Sequence, residues 1–213
     1  MKKVIITGSA GFIGFHTALR FLKEGFEVYG IDDLNDYYDP NLKEDRNKIL
    51  EQDKNFNFIK ADISKVEIKN KYNEINPELF INLAAQAGVR HSITNPEDYI
   101  KANIDSFLHI MEFAKDNKNL VRTLYASTSS VYGGNIRQPF QESHGVDHPL
   151  QFYAVSKRTN ELMAHAYSNL YGTECIGLRL FTVYGPWGRP DMALFKFTKN
   201  ILEDKEIDVY NNG

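Results

Sequence analysis

The chain has 213 residues, enough for one full domain with a buried core and the start of a second. Hydrophobic residues at 42% and charged residues at 25% fit a soluble globular protein and exclude a disordered or fibrous one. The net charge is -3, the pI is near 6.1, and no Lys/Arg run is longer than a pair, so nucleic acid is not an expected partner.

The start, Met1-Lys2-Lys3-Val4-Ile5-Ile6, is too short in apolar residues for a secretory segment or a membrane span. The expected location is therefore the cytoplasm, with no membrane partner. Short apolar runs then alternate with longer amphipathic stretches. Val4–Thr7 is read as a strand, Phe12–Lys23 as a helix and Glu27–Ile31 as a strand. The stretch from Leu34 to Asp53 is polar, rich in Tyr and Asp and weakly periodic, and reads as a long loop with some helix. Strands follow at Phe56–Ala61 and Leu79–Leu83. Asn95-Pro96 opens a helix through Tyr99, Phe107, Ile110 and Met111, with Pro in the first turn where a missing N–H costs nothing. Arg122–Ser127 is a strand, Tyr153–Tyr171 a helix and Glu174–Arg179 a strand carrying the single cysteine. Cys175 has no cysteine to pair with or to share a zinc ion, and is read as a small buried apolar residue; no metal site is expected. The rhythm predicts an α/β fold, a doubly wound parallel sheet, with ligands bound beyond the carboxyl ends of the strands.

Between the first strand and first helix lies Gly8-Ser9-Ala10-Gly11-Phe12-Ile13-Gly14. Glycines permit a sharp turn and close backbone approach, and a helix N-terminus offers unpaired N–H groups and partial positive charge to a pyrophosphate. Asp32 and Asp33 end the second strand, where a carboxylate can accept hydrogen bonds from ribose hydroxyls; this predicts NAD rather than NADP. The spacing Gly-x-x-Gly-x-x-Gly is weak by itself, and its place between strand and helix gives it meaning.

Tyr153-Ala154-Val155-Ser156-Lys157 sets a phenol and an ammonium four residues apart on one helix face. A Tyr with its ordinary pKa of about 10 is a feeble base, so activation by roughly 2–3 pH units is needed. A nearby Lys cation and an oxidised nicotinamide would each favour the phenolate. Such a Tyr/Lys pair occurs on many ordinary helices, but here a predicted strand runs into Ser127-Thr128-Ser129-Ser130, hydroxyls that can steady a substrate oxygen.

With these residues the sequence resembles the extended short-chain dehydrogenases/reductases, and within them the UDP-glucuronate 4-epimerases. The likeness runs over nearly the whole chain. Its most specific stretches are Ala84-Ala85-Gln86-Ala87-Gly88-Val89-Arg90, Ala126–Gly133, Tyr153–Lys157 and the run from Leu178-Arg179-Leu180-Phe181-Thr182 through Gly185-Pro186-Trp187-Gly188-Arg189-Pro190-Asp191 to Ala193. The resemblance implies Tyr153 as base and then acid, Lys157 as its electrostatic partner and ribose contact, and Thr128 as support for the sugar oxygen. It places Gly8, Gly11, Phe12, Ile13, Gly14, Asp32, Asp62, Ile63, Ala84, Ala85, Gln86 and Asn103 at the cofactor. Gln86, Arg90, Thr128, Ser129, Ser130, Thr182 and Arg189 fall on the substrate side, Arg189 being suited by its planar fork to a carboxylate or phosphate.

The implied reaction is reversible oxidation at carbon 4 of a UDP-sugar, with NAD as cofactor, a 4-keto intermediate and no external oxidant. Related dehydratases and decarboxylases carry an acid where this chain has Ser129-Ser130, which favours epimerisation and leaves the decarboxylase as runner-up. Residues 1–180 are expected to form the NAD-binding Rossmann-like domain, and 181–213 the start of a substrate-binding region that relatives continue, with a helix over Ala193–Asp204 and a strand over Ile207–Tyr210. An NAD-binding module without turnover stays open, and the resemblance leaves room for a homodimer.

Overall fold

A computed structural model of the chain describes residues 1–209. Six parallel strands form one sheet: β1 (Lys3–Thr7), β2 (Glu27–Asp32), β3 (Phe56–Lys60), β4 (Leu79–Asn82), β5 (Arg122–Thr128) and β6 (Cys175–Leu180). Their order across the sheet is β3-β2-β1-β4-β5-β6. The direction of winding therefore reverses between β1 and β4, and a crevice opens there beyond the strand ends. Thr7 and Asn82 close the floor of that crevice, the Thr7 hydroxyl donating to Asn82 Oδ1 at 2.6 Å and accepting the Ala84 N–H at 3.3 Å.

Strand alternation divides the core into two layers. Val4 and Ile6 face one side and pack with Phe15, Ala18 and Leu22 of α1 (Phe12–Lys23) and with Leu50 of α2 (Pro40–Leu50). Ile5 faces the other, against Ile68, Tyr72 and Ile75 of α3 (Ile68–Ile75) and Phe107, Ile110 and Met111 farther along. Both sheet faces are covered, as all-parallel strands require.

The helix expected from Asn95 arrives in pieces. A short turn of helix, α4 (His91–Thr94), precedes α5 (Pro96–Tyr99), which runs through a π-helical stretch, Ile100–Asp105, into α6 (Ser106–Asp116). After β5 come a 3₁₀ turn (Ser129–Tyr132) and the long α7 (Phe152–Tyr171), then β6 and α8 (Ala193–Leu202).

Four expectations need correction. Leu34–Asp53 is mostly helix rather than loop: α2 starts with Pro40 after an Asp39 side-chain cap and buries Lys43, Arg46 and Asn47, so its inner face shows no apolar period. The strand over Ile207–Tyr210 is not formed at Ile207–Val209, and Tyr210 lies outside the described residues. The last helix stops at Leu202 rather than Asp204. Cys175 is only half-buried, because β6 is an edge strand with Ile176 and Leu178 exposed. Among the described residues no helix is long and apolar enough to cross a membrane.

Candidate active site

A cavity of about 770 Å³ lies over the switch point, walled by the glycine turn, the end of β2, the segments after β3 and β4, the Thr128–Ser130 turn, the start of α7 and residues 180–192. At its centre the turn between β1 and α1 brings the backbone close. Gly8 sits at φ +70, and a Cβ there would lie 2.7 Å from Ala84 N. A Cβ on Gly14 would lie 1.9 Å from Gly8 O. Gly11 precedes α1 with no side-chain cap, so the helix's first N–H groups, at Phe12, Ile13 and Gly14, are directed at the cavity wall those residues line. Uncapped N–H groups, a positive helix end and a turn no side chain can enter together suit a diphosphate.

Asp32 ends β2 almost fully buried. Its carboxylate accepts the Ala10 N–H at 3.1 Å and the Leu34 N–H at 2.9 Å. Burial pushes its pKa up, against the opposing pull of those N–H groups and of Lys43. Asp33 lines the same end of the cavity, as do Asp62 and Ile63 after β3. Asp62 is partly desolvated, yet its two hydrogen bonds from Ser64 and its ion pair with Lys101 at 3.2 Å hold its carboxyl below the usual range. This end offers carboxylates and small apolar groups, the chemistry an adenosine needs.

Across the crevice, Ala84, Ala85 and Gln86 form the wall after β4. Asn103 does not line the cavity. Its side chain accepts the Gln86 N–H at 2.8 Å and donates to Gln86 O at 3.1 Å and to Ser156 Oγ at 2.9 Å, while its own carbonyl accepts from Asn160 at 2.8 Å. The π-helical stretch that aims it joins the β4 wall to α7. Asn103 thus braces the Gln86 wall of the cavity from behind.

Tyr153 and Lys157 project from the first turns of α7, and Thr128 ends β5. Thr128 accepts the Ser130 N–H at 3.1 Å, and its hydroxyl lies near enough to the Tyr153 phenol to favour the phenolate. Tyr153 packs edge-on against Tyr99, ring centroids 6.1 Å apart. Its pKa is pushed above 10.0, mainly by burial, with the Thr128 hydroxyl and the Arg189 charge pulling the other way. The expectation that Lys157 lowers the Tyr153 value is not met in the chain alone, where the cation acting on the phenol is Arg189. Lys157 is 2% exposed, and burial takes its pKa down to about 8. Ser129, Ser130, Thr182 and Arg90 complete this end. Arg189 holds Asp191 in a fork, Nε to Oδ1 at 3.0 Å and Nη2 to Oδ2 at 2.5 Å, with its guanidinium 5.7 Å from the centre of the Tyr37 ring.

Residues 4–213 match the NAD dependent epimerase/dehydratase family. The chain belongs to that family. It is 53% identical over 212 residues to Protein CapI of Staphylococcus aureus, covering 99% of this chain and 63% of that protein. It is 46% identical over 214 residues to a probable UDP-glucuronate 4-epimerase of Rhizobium meliloti, covering 99% and 62%. Among solved structures, the UDP-glucuronic acid 4-epimerase of Bacillus cereus in complex with UDP-glucuronic acid and NAD superposes with a TM-score of 0.92 at 35% identity, covering 99% of this chain and 66% of that one. The chain thus spans just under two thirds of the length of these relatives.

NAD is the cofactor of this epimerase/dehydratase family, and the residues fit it: a diphosphate turn at α1, carboxylates at the ribose end, and Tyr153 and Lys157 at the other end. Of the site residues expected from sequence, all but Asn103 line the one cavity. Sequence reasoning passed over Tyr38 and Lys43, which wall the ribose end, Tyr37, whose ring faces Arg189, and Asp191, the partner of Arg189. The Tyr and Asp richness of the Leu34–Asp53 stretch was the available signal. The Arg189–Asp191 pair, two residues apart in sequence, was legible only as charges on a loop.

Proposed function

We propose that this chain is the cofactor-binding part of a UDP-glucuronate 4-epimerase, which interconverts UDP-glucuronate and UDP-galacturonate. Residues 1–180 form the cofactor domain in this reading, and 181–213 begin the substrate-binding region. The observation that carries it is the grouping of Tyr153, Thr128 and Arg189 in the NAD cavity beside Ser129 and Ser130, the positions where related dehydratases and decarboxylases carry an acid. Tyr153 takes the proton of the carbon-4 hydroxyl and later returns it. Thr128, its lone pair held by the Ser130 N–H, donates to the Tyr153 oxygen and stabilises the phenolate. Bound NAD supplies a hydride acceptor and donor. Lys157 holds the ribose next to Tyr153, and Arg189 exchanges part of its hold on Asp191 for the uronate carboxylate. With serines at positions 129 and 130, this turn lacks the acid that related dehydratases and decarboxylases carry there, which favours epimerisation over loss of water or carbon dioxide.

The test is product analysis by NMR on a protein that contains this chain together with the remaining length of its relatives. UDP-glucuronate should become a mixture of the two epimers without net NADH release. Formation of a UDP-pentose and carbon dioxide would show a decarboxylase instead.

A further inference from the structure

Arg46 is the largest side chain buried without trace of exposure, and no step of the proposed chemistry uses it. It projects from α2 and donates through Nη1 to Ala10 O at 2.9 Å and to Tyr38 OH at 2.7 Å, and through Nη2 to Trp187 O at 2.6 Å. Its Nε has no hydrogen-bond partner among the described residues. Burying a guanidinium is costly unless its hydrogen bonds are made, so a position that keeps one with a donor unspent is held for what the cation joins.

What it joins are the two halves of the site. Ala10 belongs to the glycine turn, and its N–H is already fixed by Asp32, so Arg46 fixes the other side of the same peptide segment. Trp187 stands 141 residues away in the loop that carries Arg189. That loop is weakly self-supported: Trp187 has φ 62, a left-handed backbone that a non-glycine residue rarely keeps, and Gly188 closes a turn onto Gly185 O at 3.0 Å. Other ties to the body include the His16 contact to Pro186 O at 2.9 Å, the packing of the Trp187 ring on Phe15 and the Arg189 guanidinium over the Tyr37 ring.

We propose that Arg46 is a positioning residue: it ties the diphosphate-facing turn to the segment bearing Arg189, so that a ligand on the turn steadies the substrate-side arginine. The proposal rests on the cofactor assignment above and not on the identity of the sugar. Trp187 is the only tryptophan of the chain, so its fluorescence reports on this segment. The probe is ADP-ribose, which fills the adenosine and diphosphate positions without a nicotinamide ring to quench the indole.

In the wild-type chain, saturating ADP-ribose should reduce acrylamide quenching of Trp187. Arg46→Met should still bind ADP-ribose but lose that ligand-dependent change, and Arg46→Lys, with one donor group for three acceptors, should recover only part of it. His16→Leu, which removes a neighbouring tie and leaves Arg46 in place, should keep it. Binding by the wild type with no change at Trp187, or a full change in Arg46→Met, overturns the proposal. Should Arg46→Met not fold by circular dichroism, hydrogen exchange of the Gly185–Arg189 amides in the wild type with and without ADP-ribose decides it, unchanged protection being the refuting result. A wild-type chain that does not bind ADP-ribose overturns the cofactor assignment and this proposal together.

Discussion

Lys157→Met should make the unliganded chain more stable at neutral pH. Burial lowers the Lys157 pKa from 10.5 to about 8, so the charged form is disfavoured in the folded state. At about 1.36 kcal/mol per pH unit of displacement, this is roughly 3 kcal/mol of penalty carried at pH 7, where both folded and unfolded states hold the proton. The sign follows from linkage. Between pH 8 and 10.5 the unfolded state keeps a proton that the folded state has released, so this group's contribution makes stability rise with pH through that window. Three tyrosines oppose it higher up: buried Tyr99 and part-buried Tyr29 and Tyr167 are held at about 12, so above 10 the unfolded state loses protons the folded state keeps. Urea denaturation of wild type and Lys157→Met at pH 7, 8 and 9 isolates the term. The variant should be more stable by up to about 3 kcal/mol at pH 7, with the gap closing as pH rises past 8. A gap that stays constant across these pH values, or a variant less stable at pH 7, would refute the reasoning.

Tyr153→Phe, in a protein with the full length of its relatives, should lower epimerase turnover by roughly 10²–10⁴-fold while calorimetry finds NAD affinity nearly unchanged. The same calorimetry on the wild type should find NAD bound more tightly than NADP, since a 2′-phosphate at the ribose end would face the negative charge of Asp32 and Asp33; tighter NADP binding would assign the ribose end to Lys43 instead. Glu161 accepts from Ser127 at 2.6 Å and pairs with Arg179 at 2.9 Å and Arg158 at 3.0 Å. Burial raises its pKa, but Arg179 and Ser127 prevail and hold it low. Glu161→Gln should therefore cost about 2 kcal/mol at pH 7, a loss seen in denaturant melts. Because the folded pKa lies below the unfolded one, the wild type's advantage should be present above 4.5 and disappear as pH falls through the folded value. In α8, Leu194, Phe195, Ile201 and Leu202 are 46% or more exposed, so its amides should exchange well before those of β1 and β5, with the apolar face promoting self-association at high concentration.

The sheet was legible because each strand is a short apolar run bounded by turns, and because parallel strands buried on both faces leave an unmistakable pattern of such runs. Its last member, β6, begins and ends one residue later than expected, a shift within the usual fraying of strand ends. The glycine turn and the Tyr153/Lys157 spacing were legible for a different reason, since each is a local pattern tied to one element. α2 was not, because beside Leu50 what it buries is Lys43, Arg46 and Asn47, and hydrophobic periodicity is blind to a helix whose inner face is mostly polar. The role of Asn103 was hidden as well: its place among cofactor residues follows from a motif, while its hydrogen bonds to Gln86 and Ser156 depend on a π-helical stretch that no sequence period marks. Pairings such as Arg46 with Trp187 O need the fold itself.

The ionisation state of the site argues for order in the proposed chemistry. Burial makes Tyr153 a weaker acid than a free phenol, and the chain's own opposition to that, one hydroxyl and one guanidinium, does not reverse it. Burial equally makes Lys157 readier to give up its charge. The same low-dielectric surroundings that hold Tyr153 protonated amplify any charge placed beside it, so a cationic ring arriving at this end of the cavity acts on the phenol with little water to screen it. Ribose oxygens bonded to Lys157 would favour its charged form. In the proposed reaction, a phenol held protonated by burial would act as a base only once a cationic ring stands beside it, which would tie proton removal to hydride loss at carbon 4.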